Sequence, residues 1–190
     1  MSQYKCHRTQ DADYIQDLFI KASQYKHRNS DNYRKLERVD NFIDFYTLHD
    51  DDSVVAFSGV YPFNNNLVRV LDSTFYFPHF RAKHGSYYST ASTYFLPQMT
   101  EYVMSVGKKP FFSMQSDRPH KRIMSRIVKH FNENNKLQYK LLDGYHWTCK
   151  GEPIKSNKKC WQTVAVCSDY GNLFLELSNT WKSPFQSPSD

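Results

Sequence analysis

The stretch Phe75-Tyr76-Phe77-Pro78-His79-Phe80-Arg81-Ala82-Lys83-His84-Gly85-Ser86 joins two different kinds of chain. Upstream, residues 67–77 are rich in β-branched and aromatic side chains. Pro78, which has no amide hydrogen to give a ladder, ends that strand. Downstream, residues 86–106 read as a helix, with Pro97 set to kink or break it and Gly107 placed to cap it. A short basic loop between a strand end and a helix start turns successive backbone N–H groups outward, and the helix N-terminus adds partial positive charge. That geometry suits a diphosphate, and Arg81 and Lys83 add full charges to it. From these residues alone, the alternative is an ordinary strand-to-helix turn with exposed basic side chains.

Alternation along residues 67–77 puts Val68, Val70, Asp72, Thr74 and Tyr76 on one face. Leu67, Arg69, Leu71, Ser73, Phe75 and Phe77 take the other. Both faces are largely apolar, as a central strand covered on each side requires. Before it, residues 3–8 read as a first strand and residues 9–13 as capping residues. Tyr14, Ile15, Leu18, Phe19 and Ala22 then fall at helical spacing to about residue 25. Tyr33, Leu36 and Val39 suggest a second, weaker helix. Residues 42–48 and 54–61 read as strands joined by a polar turn over 49–53, and residues 62–66 form another turn.

After the helix over 86–106, residues 110–115 form a short strand. Asp117-Arg118-Pro119 opens a helix to about residue 134, with Ile123, Ile127, Val128 and Phe131 as its apolar stripe. Residues 139–149 and 160–168 are two strands, and 173–177 adds one more. The expected architecture is α/β (α+β): a mixed, mostly antiparallel central sheet with helices on both faces. Residues 1–177 are expected to form one domain, and residues 178–190, rich in Ser and Pro, a tail.

Composition narrows the class. A chain of 190 residues with 39% apolar and 16% aromatic side chains can fill one core, which excludes wholesale disorder. No apolar run reaches the length of a membrane span, and the first residues lack the apolar stretch of a secretory signal, so a cytoplasmic location is the expectation. Cys6, Cys149, Cys160 and Cys167 make no C-x-x-C pair and read as free thiols. The eight histidines are scattered, and the five-residue spacing of His79 and His84 suits no helical face, so no metal site is expected. The net charge of +6 favours anionic partners such as phosphorylated cofactors or nucleic acid, but no nucleic-acid-binding motif stands beside it.

The quoted stretch resembles the cofactor-binding signature of the GNAT N-acetyltransferases. In that family the fourth strand ends in an aromatic or apolar residue and Pro, and an Arg/Gln-x-x-Gly-x-Gly/Ala loop enters the third helix. Pro78 matches the proline, Phe80 the aromatic and Arg81 the first position of the loop motif. Lys83 sits where a basic residue is frequent. His84 and Ser86 fall on the small-residue positions, with Gly85 one residue out of register. Tyr4 to Asp13 is similar to the opening strand, turn and Asp-led helix, and Ser53 to Val60 to the third strand.

The resemblance implies a V-shaped splay between the fourth and fifth strands that holds the pantetheine arm of acetyl-CoA or another acyl-CoA. Backbone groups near Phe75 and Phe77 would pair with that arm, and residues Arg81, Ala82, Lys83, His84, Gly85 and Ser86 would hold the diphosphate. An amine, on a small molecule or a peptide, would attack the thioester directly, with Asp72 as the candidate base. The family's usual acid is a Tyr in the fourth helix. None occurs over residues 117–134, where Met124 or Arg126 takes its place; Tyr139 and Tyr145 lie downstream. Arg118, His120, Lys121 and Arg122 form a basic helix start that would suit a cofactor phosphate or simply solvent. A non-catalytic module on the same sheet, and a basic protein whose aromatics stack on bases, are the alternatives.

Overall fold

The computed structural model describes residues 4–25, 44–63, 65–80, 87–115, 118–147 and 160–167. The second helix expected around Tyr33–Val39, the strand over 173–177 and the tail over 178–190 lie outside the described residues.

Among the described residues, seven strands form one sheet in the order β1-β2-β3-β4-β5-β7-β6. β1 (Lys5–Thr9), β2 (Asp44–Asp50), β3 (Ser53–Pro62) and β4 (Leu67–Tyr76) form an antiparallel meander. β5 (Lys109–Gln115) joins β4 in parallel, and β7 (Cys160–Cys167) and β6 (Tyr139–Trp147) close the other edge antiparallel. The turn between β2 and β3 is tighter than expected: pairing runs to Asp50↔Ser53, leaving two residues at the tip, and Asp51 takes a left-handed φ of 51°.

α1 (Ala12–Ser23) begins where Asp11 Oδ1 accepts the Tyr14 N–H at 3.0 Å, capping one of the donors that a helix start leaves unpaired. Four of the five residues that its spacing predicts form the buried stripe, Ile15, Leu18, Phe19 and Ala22, while Tyr14 is only partly buried. These pack on Phe45, Phe57, Phe75 and Phe77 to make the core of one sheet face. The other face carries the larger core, under α2 (Tyr87–Thr90), a π-helical segment (Ala91–Phe95), α3 (Leu96–Ser105) and α4 (Arg118–Asn134). Helices therefore cover both faces, as expected.

The π-helical segment has a cause in the sequence. Pro97 has no N–H for the carbonyl four residues back, and its ring crowds that turn. The chain widens over Ala91–Phe95, where Thr93 lies, and the helix carries on beyond. Pro97 thus distorts the helix without breaking it. At the far end Gly107, at φ 71°, closes a Schellman turn: its N–H donates to Met104 O and that of Lys108 to Val103 O, each at 3.0 Å. Cys6 is half-buried and Cys167 buried, both as free thiols, and burial pushes the Cys6 thiol up to about 12.

Candidate functional site

The sheet forks in its middle. β4 and β5 pair through Leu67↔Lys109, Val68↔Pro110 and Arg69↔Phe111, and there the ladder stops. β4 runs on to Tyr76 against β3, while β5 runs on to Gln115 against β7, through Phe111↔Val166 to Gln115↔Gln162. The seven residues of β4 after Arg69 and the four of β5 after Phe111 thus diverge and leave a fork between them.

The carbonyls and amides along the fork follow from the register. Phe77 donates its N–H to Val55 O at 2.9 Å, so its backbone is turned toward β3, and Phe75 lies opposite Phe57. Backbone polar groups alternate along a strand, so Tyr76, between them, turns its own toward the β5 side. Of the backbone groups near Phe75 and Phe77, the Phe77 N–H is thus taken by β3, and those of Tyr76 are left facing away from it. Both phenyl rings are buried, 1% and 6% exposed, against α1.

Asp72 is displaced from its expected face. Phe57, Gly59 and Tyr61 alternate normally on β3, yet their partners on β4 are Phe75, Asp72 and Arg69. Each step of two residues on β3 is met by three on β4, so β4 carries two consecutive bulges. The residues beside Asp72 absorb the bend, with Leu71 at φ 55° and Ser73 at φ 52°. Regular alternation grouped Asp72 with Val68 and Val70; the bulges move it to the opposite face, beside Arg69 and Phe75. Without the extra residue, side chains three apart would point to opposite faces.

On that face Asp72 is 1% exposed. Its Oδ1 accepts the Ser73 hydroxyl at 2.8 Å, and its Oδ2 lies 3.5 Å from Arg69 Nε. Arg69 Nη2 also donates to the main-chain oxygen of Ser113 on β5, again at 3.5 Å. Ser113 Oγ is buried and has no hydrogen-bond partner among the described residues. On the helix face of the same bulge, the Leu71 N–H is directed at Met99 Sδ, 3.4 Å away, and Thr74 Oγ1 donates to Leu71 O at 2.9 Å. Thr74 in turn shares a hydrogen bond of 2.7 Å with Ser58.

The loop residues Arg81, Ala82, Lys83, His84, Gly85 and Ser86 lie outside the described residues. Both of their anchors are described. Phe80 is buried, in an edge contact with Tyr4 and stacked on Tyr76, and its N–H donates to Phe77 O. The chain resumes as helix at Tyr87. Across from it, in α4, Met124 is fully buried in the core and Arg126 is exposed, so neither offers a proton at the fork. Tyr139 is a core residue with its hydroxyl 2.8 Å from Thr100 Oγ1. His120 and Lys121 are partly buried and Arg122 exposed at the start of α4. No group of three or more metal-ligating side chains occurs among the described residues.

Arg69, Ser113 and the bulged pair Leu71 and Ser73 escaped the sequence reading. A basic residue three positions before an acid on a strand is ordinarily no signal, and neither bulge carries the glycine that would have announced a left-handed backbone.

No family model and no curated protein sequence matches the chain. Its fold does match solved structures. An acetyltransferase described as of the GNAT family from Bacteroides thetaiotaomicron aligns over 94% of this chain and 94% of its own, at 14% identity and a TM-score of 0.59. An acetyltransferase from Staphylococcus epidermidis aligns over 87% of this chain and 99% of its own, at 10% identity and a TM-score of 0.53. A Bacillus subtilis acetyltransferase solved in complex with CoA aligns over 87% and 97%, at 14% identity and a TM-score of 0.50. The chain has the GNAT acetyltransferase fold, in a divergent sequence.

Proposed function

We propose that the protein is an acyl-CoA-dependent N-acyltransferase that moves an acetyl group from acetyl-CoA to an amine. The observation that carries this reading is the fork: two parallel neighbours that pair at three positions and then part, in the middle of a sheet of this fold. A strand edge opened inside a sheet leaves backbone groups facing a gap, and an extended amide-bearing arm such as pantetheine satisfies them as an added strand would. Tyr76 turns its backbone that way. The loop from Arg81 to Ser86 would hold the diphosphate through its amides, with Arg81 and Lys83 as counter-charges.

In the reaction the amine nitrogen attacks the thioester carbonyl carbon, the carbon–sulfur bond breaks, and CoA leaves as the thiolate. The amine must lose a proton and the thiolate must gain one. Asp72 is the residue we assign to the first transfer, because it is the carboxylate that β4 carries beyond its last pair with β5. α4 contains no tyrosine for the second transfer, so solvent protonates the thiolate. That same feature supports a second reading, a binding module that holds an acyl-CoA without turning it over: the place of the acid falls to the core Met124 or the exposed Arg126.

Thermal melting with acetyl-CoA tests the first step. Ligand at about 100 times its dissociation constant adds roughly 2.7 kcal/mol to the folded state, a rise of several degrees for a chain of this size. Release of free thiol with a panel of primary amines then separates enzyme from module. No rise with acetyl-CoA or with longer acyl-CoAs at millimolar concentration would overturn both readings.

A further inference from the structure

We infer that Arg69 is the brace of the fork: its side chain spans the two diverging strands just past their last backbone pair and fixes the width of the opening that receives the pantetheine arm. The inference rests on the acyl-CoA reading above and deepens it. Arg69 is the last residue of β4 that pairs with β5, through Phe111. Two residues further along β5 the backbone ladder to β4 has ended, yet Arg69 Nη2 reaches the Ser113 main-chain oxygen there. From the same guanidinium, Nε faces Asp72 Oδ2, three residues along β4. One planar group therefore contacts both arms of the fork beyond its apex, with a fixed angle between its two sets of donors.

The bulge is what makes this possible. It turns Asp72 onto the face of Arg69, so that the guanidinium meets a buried carboxylate on one arm and a carbonyl on the other. The side chain of Arg69 is 22% exposed and that of Asp72 fully covered, so water competes little for the contact. A lysine has one compact charge and no fork of donors, so it can hold either arm but not both.

Three variants and two ligands test the brace. Arg69→Met keeps the stem and removes the guanidinium; Arg69→Lys keeps the charge; Asp72→Asn keeps the shape of the carboxylate. CoA probes the fork, and ADP, which has adenosine and the diphosphate but no pantetheine, probes binding outside the fork. We expect Arg69→Met to weaken CoA about tenfold while ADP stays within about twofold, because a slackened opening must be ordered on binding. Arg69→Lys should fall between, and Asp72→Asn should weaken CoA less than Arg69→Met, since the contact to Ser113 survives. CoA affinity unchanged in both Arg69 variants overturns the brace while leaving the acyl-CoA reading in place. CoA and ADP falling together, with the melting temperature, overturn it as well, because that is general loss of structure. Absence of CoA binding to the unaltered protein removes the reading on which the brace rests, and both go.

Discussion

Ser92 Oγ stands 2.9 Å from His130 Nδ1, tying the π-helical segment to the back of α4. The same hydroxyl lies 3.2 Å from Ser89 O, one turn earlier. Ser92 is buried and His130 partly so, and the contact joins the helical segment before α3 to the helix that follows β5. Ser92→Ala is expected to cost about 1 kcal/mol, which for a chain of this size lowers the melting temperature by about 2–4 °C. His130→Asn places an amide near the lost Nδ1 and should cost less than His130→Leu, which offers no polar atom. Equal melting temperatures for the asparagine and leucine variants would show that the contact carries no stability.

The sequence was most informative where one local rule acts unopposed. Asp11 caps α1, Pro78 ends β4 and Gly107 ends α3 because each does what its own geometry dictates. The fork itself was implied only by the family resemblance, since nothing in residues 67–77 or 110–115 marks where two parallel strands part. The face of Asp72 was misjudged for a related reason. Alternation is a count, and a bulge without glycine changes the count silently. Leu71 and Ser73 hold left-handed backbone because the strands on either side pin them, which is tertiary information. Val68 and Tyr76, on either side of both bulges, share the face assigned to them, because two added residues restore the parity that one destroys.

Asp44 and Arg8 make a test in pH. Asp44 is 1% exposed on β2 and forms an ion pair with Arg8 of β1, whose guanidinium also lies 4.0 Å from the centre of the Tyr102 ring. Burial raises the Asp44 carboxyl above its ordinary value of 3.8, and Arg8 opposes that shift without cancelling it. A carboxyl raised in the folded state favours folding below its ordinary value and loses that contribution as pH rises through the folded one. Asp44 is therefore a burden at neutral pH that Arg8 relieves. Arg8→Gln should destabilise by about 1–3 kcal/mol at neutral pH, less than a fully buried pair because Arg8 is half-exposed. Most of that loss should vanish at acid pH, below 3.8, where Asp44 is protonated in both states; the Tyr102 contact, worth about 0.5–1 kcal/mol, is lost at either pH. Melting curves of both proteins across pH decide it, and a difference that stays constant would show that the charge of Asp44 plays no part.

Ser73 separates the strain of the bulge from its use. Its φ of 52° is left-handed, where a side chain is penalised and glycine is not, and its hydroxyl holds Asp72 Oδ1 at 2.8 Å. Ser73→Ala keeps the penalty and removes the hydrogen bond, so it should cost about 1 kcal/mol of stability. Ser73→Gly removes the hydrogen bond and the penalty together, and the two effects, each about 1 kcal/mol, should leave its melting temperature close to that of the parent. Turnover follows the other logic. If Asp72 takes the proton of the amine, its aim matters more than the stability of the bulge, and both variants should lose thiol release from acetyl-CoA to a similar degree, about tenfold, in spite of their different melting temperatures. Activity that tracks the melting temperature instead, with the glycine variant as fast as the parent, would mean that Ser73 serves the fold alone and that Asp72 needs no second contact to do its work.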